Sequence, residues 1–98
     1  MRRYDVCPLR SRTEQLVVVL QDDLADTLAT RVVAPLSESR EGMIGGLRFP
    51  VEIGRGAYMV QIDRLAAIAR SELGPPVGTI EAEERRIKAA LDLLFFGV

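Results

Sequence analysis

The chain has no histidine, and that absence removes more chemistry than any other feature of its 98 residues. A Ser-His-Asp triad, a Cys-His dyad and the common zinc sites all use an imidazole as base or ligand. Cysteine is nearly absent as well: Cys7 stands alone, so no internal disulfide can form. In a short apolar segment, Cys7 reads as a small buried side chain rather than a nucleophile. No apolar run approaches the roughly 20 residues of a membrane-spanning helix, and Leu16-Val17-Val18-Val19-Leu20 is far too short. The start, Met1-Arg2-Arg3-Tyr4-Asp5, has basic residues but no apolar stretch behind them, which is unlike a secretory signal and points to the cytoplasm. Neither sign of charge is in excess: the formal net charge of −1 provides no large electrostatic footprint for nucleic acid. A phosphate loop is missing too, because Gly54-Arg55-Gly56 lacks the Lys-Ser/Thr ending and reads as a turn. These absences lead to the expectation of a protein that is not an enzyme and uses neither metal nor cofactor.

What is present fits one domain, residues 1–98, near the lower end of what buries a sufficient core. Tyr4 to Pro8 is a first candidate strand. Leu16 to Leu20 is a β-branched-rich run of the kind covered on both faces of a sheet. Gln21 to Thr27 is polar and suits a loop, after which Arg31-Val32-Val33-Ala34 resumes as a strand predicted to stop at Pro35. Ser37 to Gly46, with three glycines, two serines and three charges, is the best candidate for a mobile loop. The clearest hairpin follows. Leu47, Phe49, Val51 and Ile53 alternate with polar positions, Gly54-Arg55-Gly56 turns the chain, and Tyr58, Val60 and Ile62 continue the alternation. Pro50 belongs at an edge or a bulge. Asp63 to Ala69 fits either a short helix capped by Asp63 or another strand, and Gly74-Pro75-Pro76 breaks regular structure before the last element.

That last element is an amphipathic helix. It reads back to Thr79 as N-cap, with Glu81, Glu83 and Glu84 near its start, where acids suit the macrodipole. Glu81–Arg85 and Glu84–Lys88 are acid-first pairs four residues apart. At about 100° per residue, Ile80, Ile87, Ala90, Leu91, Leu94 and Val98 share one stripe. Phe96 falls roughly opposite Ile87, in the sector of Arg85, Ala89 and Asp92. A monomeric globule has little reason to place Phe there, so the ring is expected to meet a partner, and the chain is expected to be a homodimer. The whole reads as mostly β, an all-β or α+β fold with one C-terminal α-helix packed at one side.

From Leu16 to Val98 the chain resembles the CcdB family of toxin–antitoxin toxins, which poison DNA gyrase. The resemblance is carried by Gln21, Asp23, Asp26 and Thr27, by Arg31-Val32-Val33-Ala34-Pro35-Leu36, and by Phe49-Pro50-Val51 with Ile53-Gly54. Ile87-Lys88, Ala90, Leu91 and Leu94-Phe95-Phe96-Gly97-Val98 match the family's ending. The resemblance implies a β-barrel-like antiparallel sheet shared with the MazF/PemK ribonuclease toxins, dimerised with the two terminal helices side by side. It also implies a cognate CcdA-like antitoxin, partly disordered and acidic, that folds onto the dimer, and no direct contact with nucleic acid or membrane. The family's last three residues, usually Trp-Gly-Ile, enter the dimerisation region of the DNA gyrase A subunit, where the aromatic ring stacks on an arginine. By position these residues are Phe96, Gly97 and Val98.

Here Phe stands for Trp and Val for Ile, which keeps the character and shrinks the surface. Phe still stacks on an arginine, with about 0.5–1.5 kcal/mol less contact. The segment from Glu38 to Gly46 is richer in glycine than the family pattern, and Gly74-Pro75-Pro76 replaces positions that can carry acids. Two other readings accompany the gyrase-binding toxin. One is a MazF/PemK-like endoribonuclease, which without histidine would need Arg and Asp/Glu at the scissile phosphate. The other is a repurposed dimer that poisons nothing.

Overall fold

Short apolar runs separated by turn residues fold into seven strands and one helix in the computed structural model, which describes residues 2–23, 27–38 and 45–98. The strands are β1 (Asp5–Pro8), β2 (Leu16–Val19), β3 (Thr30–Ser37), β4 (Arg48–Ile53), β5 (Gly56–Gln61), β6 (Ala66–Ala69) and β7 (Gly78–Thr79); the helix is α1 (Glu84–Phe96). All pairings are antiparallel, in the order β4-β5-β3-β2-β1-β7, with β6 also paired to β3. The product is a curled, mostly β half-barrel with α1 packed on one side, the fold class read from the sequence. Asp26 and most of the Ser37–Gly46 loop lie outside the described residues.

The β4–β5 hairpin forms in the register its alternation dictates, from Arg48 opposite Gln61 to Ile53 opposite Gly56. Its loop is two residues, Gly54 and Arg55, with Gly56 already in β5. Gly54 alone of the pair has a positive φ, +59°, as a type II′ turn requires. Phe49, Val51 and Ile53 are buried between exposed Pro50 and Glu52, and Pro50 lies on the edge strand where its missing N–H costs no ladder bond. Ile62, expected to continue β5, instead begins a 3-10 turn over Ile62–Arg64, and Asp63 to Ala69 resolves in favour of a strand, β6.

Pro35 does not end β3. The strand runs through it to Ser37, with Pro35 opposite Val17. On the β2 side the Val32 carbonyl accepts from Leu20 at 2.9 Å, so by alternation Pro35 turns its missing donor to the other edge. That edge changes partner here, from β6, paired through Val33, to β5, paired from Leu36. Proline is tolerated because it falls in the gap between two neighbours. Arg31, also in this strand and only 4% exposed, donates from Nη1 to the carbonyls of Leu28 and Thr30, both at 3.0 Å. Gln21 accepts from the Val32 N–H at 3.1 Å, extending the ladder past the end of β2.

Both faces of β2 are covered, as its unbroken apolar run predicts. Val18 joins the main core with Val6, Leu36, Phe49, Val60, Ile62, Ile87 and Ala90. Val17 and Val19 join Cys7, Val33 and Leu73 in a smaller cluster on the opposite face. Burial pushes the Cys7 thiol up from its ordinary pKa, which disfavours the thiolate and fits a packing role.

The last helix starts later than its pattern indicates. Thr79 is in β7, paired with Asp5, and its Oγ1 accepts from the Glu81 N–H at 3.2 Å, starting a 3-10 turn over Glu81–Glu83 that leads into α1. Ile80 is buried but precedes the helix. Tyr4 fixes this junction. Its N–H donates to the Val19 carbonyl at 2.6 Å, and its own carbonyl accepts from Ile80 at 3.0 Å. It does so at φ +73°, a left-handed conformation costing a bulky residue about 1–3 kcal/mol, offset by these bonds and by ring burial.

Arg48 and Asp63 tie the start of β4 to the turn after β5 through two contacts, Nε–Oδ1 at 2.9 Å and Nη2–Oδ2 at 2.8 Å. The guanidinium holds the Asp63 carboxyl below its usual range. The stabilisation is therefore complete above the ordinary aspartate pKa of about 3.9 and is lost as pH falls through the lowered folded value. Asp63→Asn is expected to reduce stability at neutral pH and to flatten the acid limb of a pH series of denaturant unfolding; an unchanged acid limb would show that the pair does not contribute. Ile87, fully buried at the centre of α1's inner face, carries the helix: Ile87→Ala is expected to cost about 2–5 kcal/mol in equilibrium unfolding.

Candidate functional site

The inner face of α1 loses its cover along its length. Ile87 and Ala90 are fully buried, Leu91 and Leu94 half-buried, and the last turn projects past the core. Phe95 is 62% exposed, Phe96 76% and Val98 89%. Gly97 ends the helix at φ +74°, its N–H donating to the Leu93 carbonyl at 3.0 Å. This left-handed turn is accessible to glycine without a Cβ penalty. It also explains why Val98 leaves the stripe on which helical periodicity placed it: the period stops at Gly97.

Phe96 continues a surface that starts lower on the helix. Arg86, Ala89, Leu93 and Phe96 are spaced three and four apart and share one side of α1. At its lower end this side borders a shallow apolar groove of 300 Å³ with Gly45, Gly46, Phe49 and Pro50. The Arg86 guanidinium lies 4.6 Å from the centroid of the Phe49 ring. Leu93 rests against Gly46, where a Cβ would fall 2.9 Å from Leu93 Cδ2 on a backbone already at φ +79°. The arrangement is an exposed apolar ridge with a ring at its tip, suited to burial against another surface. The structure exposes Phe96, Gly97 and Val98, the three residues that the sequence singles out. Leu93 and Phe95 join them without a signal of their own: Phe95 lies beside the apolar stripe on a helical wheel, and only the projection of the last turn uncovers it.

Two ion pairs lie at the start of α1. Glu84 pairs with Lys88 at 3.0 Å and Glu83 with Arg86 at 3.2 Å, and Lys88 holds the Glu84 carboxyl below its ordinary pKa. Near the amino-terminal end, Arg3 pairs with Asp22 at 2.9 Å.

A second concavity, of 440 Å³, lies away from the ridge, between the β1–β2 connection and the end of β3. Glu14, Ser37, Glu38, Gln61 and Arg64 contribute to it. Arg12 sits beside Glu14 at 3.1 Å; together with a backbone hydrogen bond, the larger influence, it lowers the Glu14 pKa. Among the described residues, no three His, Cys, Asp or Glu side chains converge as metal ligands would, and no helix is long and apolar enough to cross a membrane.

Known proteins share this fold. The family described as "CcdB protein" matches residues 3–97, and the chain belongs to that family, toxins of toxin–antitoxin systems. Among solved structures, a toxin of Mtb is 20% identical, with a TM-score of 0.78 over 92% of this chain and 99% of that one. The Mycobacterium tuberculosis toxin MazF-mt6 is 20% identical, with a TM-score of 0.76 over 96% of each chain. An endoribonuclease in complex with its cognate antitoxin, from a mycobacterial species, is 17% identical, with a TM-score of 0.76 over 96% of this chain and 93% of that one. At these identities the likeness is one of fold.

The fold likeness corrects one expectation. The composition predicts a protein without enzymatic activity, yet the same architecture is found in proteins named as endoribonucleases. The physical reason for the misreading is that lack of histidine removes one kind of base and no more. Glu14, Glu38 and Arg64 come from three separate parts of the chain, and only the fold gathers them at one cleft.

Because the Phe96 ring has few intramolecular contacts to lose, Phe96→Ala is expected to change unfolding free energy by no more than about 0.5 kcal/mol. Gly97→Ala meets no neighbour within 4 Å and is expected to cost about 1–2 kcal/mol from backbone strain alone. Denaturant unfolding of both variants checks this, and a large loss with Phe96→Ala would mean that the ring is structural.

Proposed function

We propose that this CcdB-family toxin acts in the cytoplasm as a homodimer on DNA gyrase, with Phe96, Gly97 and Val98 of each protomer contacting the gyrase A subunit. The observation that carries this reading is the 76% exposure of Phe96 at the tip of an apolar ridge, immediately before a left-handed glycine. An exposed ring next to a backbone free of side chain can enter a pocket and stack on a guanidinium, a common pairing at interface hot spots. Twofold symmetry would present two such tips, so each contact counts twice. Residues 1–98 act as one domain in this reading, and a cognate CcdA-like antitoxin masks the dimer. Support for an antitoxin comes from the related endoribonuclease solved with its own.

A second reading is favoured by the fold: the chain cleaves RNA, as proteins of the same architecture are named for doing. The cleft holding Glu14, Glu38 and Arg64 supplies carboxylates and a guanidinium for such chemistry without histidine.

Toxicity in cells separates the two. A resistant gyrase A subunit is expected to rescue growth under the first reading, and RNA cleavage by the purified chain marks the second. On purified proteins, Phe96→Ala is expected to abolish binding to the gyrase A dimerisation fragment while the fold is retained. Phe96→Trp is expected to strengthen it, through greater area and a better cation–π face. Equal affinity of the parent and both variants would remove Phe96 as an anchor and leave a dimer that poisons nothing.

A further inference from the structure

The groove at the lower end of the α1 ridge is lined by apolar groups and cations. Phe49, Pro50 and Ala89 form its apolar part, Arg48 and Arg86 stand in it, and among the described residues no carboxylate does. Glu52 and Glu83 line a separate hollow that shares only Pro50 with it. Both guanidinium groups are held in place. Arg48 bonds Asp63 through two contacts, and Arg86 lies over the Phe49 ring. Arg86 bonds Glu83 through Nη1 alone, which leaves its other donors open to a partner. Arg85, exposed beside it, makes no ion pair among the described residues. The spacing pairs it with Glu81, but Glu81 belongs to the 3-10 turn that precedes the helix.

Gly45 and Gly46 leave the opposite wall as bare backbone. Gly46 needs to be glycine, with its positive φ and its contact with Leu93. Gly45 does not: its φ is not positive, and a Cβ there would meet nothing within 4 Å. A bare wall that the fold itself does not require leaves room for another chain to approach. We propose that this groove is the docking site for an acidic segment of the antitoxin. An apolar side chain of that segment lies on Phe49, Pro50 and Ala89, and its flanking carboxylates meet Arg85 and Arg86. The inference rests on the toxin–antitoxin reading and names the surface and the chemistry of the partner. Unpaired positive charge at the rim selects acids, and the apolar floor supplies the burial. The groove runs along α1 from Arg86 and Ala89 towards Leu93, so the segment lies beside the ridge that ends in Phe96.

The test measures binding of the purified full chain to its cognate antitoxin at several salt concentrations, with thermal unfolding as the control for folding. Gly45→Glu and Gly45→Lys place side chains of similar reach and opposite charge at the open wall. The Glu variant is expected to bind the antitoxin about tenfold or more weaker than the Lys variant at low salt. That gap is expected to narrow as salt rises, because the charges face solvent. Ala89→Gln sets an amide over the apolar floor and is expected to weaken binding at every salt concentration. Gly45 and Ala89 are both exposed, so the unfolding temperatures are expected to stay close to that of the parent. Equal affinity of the Glu and Lys variants overturns the acidic segment. Antitoxin binding that none of the three substitutions alters overturns the groove and leaves the toxin–antitoxin reading standing. No antitoxin binding by the parent overturns both.

Discussion

β3 pairs with β2 along one edge and divides its other edge between β6 and β5, so the hairpin reaches the remaining strands only through it. This double engagement demands residues that can be buried on either face, and Val33, Ala34 and Leu36 meet it from alternate sides of the sheet. It also sets where irregularity is tolerated. Pro35 occupies the gap between two partners, and Arg31 is satisfied by carbonyls near the turn before the strand. A proline one residue earlier or later in β3 would face β2 and remove a ladder bond.

The helix depends on that sheet for its position. Its own N-terminus has no side-chain cap, and the link to the sheet is made through Tyr4, whose carbonyl accepts from the Ile80 N–H. The inner face is anchored at Ile87 and Ala90 and released beyond Leu94. Tight packing at one end and exposure at the other hold the terminal ring in a defined direction without burying it. A rigid presentation of this kind lowers the ordering cost of binding.

Two surfaces of opposite character result. The end of α1 is apolar and exposed, and suits a protein partner. The cleft at the end of β5 is polar and carries carboxylates and a guanidinium. One architecture carries both, which is consistent with a fold that serves CcdB proteins and endoribonucleases alike.

Periodicity determined a good deal on its own. Alternation in Phe49, Val51 and Ile53 specified the hairpin and its inward face, because a period of two leaves one register that buries apolar side chains. The unbroken Leu16–Val19 run specified a strand covered on both sides, and the wheel placed Phe96 in solvent. Each of these is local, decided by neighbours a few residues away. Pro35 within a strand, Thr79 in β7 rather than at a helix cap, and the exposure of Val98 and Phe95 were settled by tertiary structure. In each case a distant element, or the end of a helix, overrode the local rule. The cleft was equally invisible in the sequence. Glu14, Glu38, Gln61 and Arg64 share no motif and no period, and only the closing of the sheet around β3 brings them to one place.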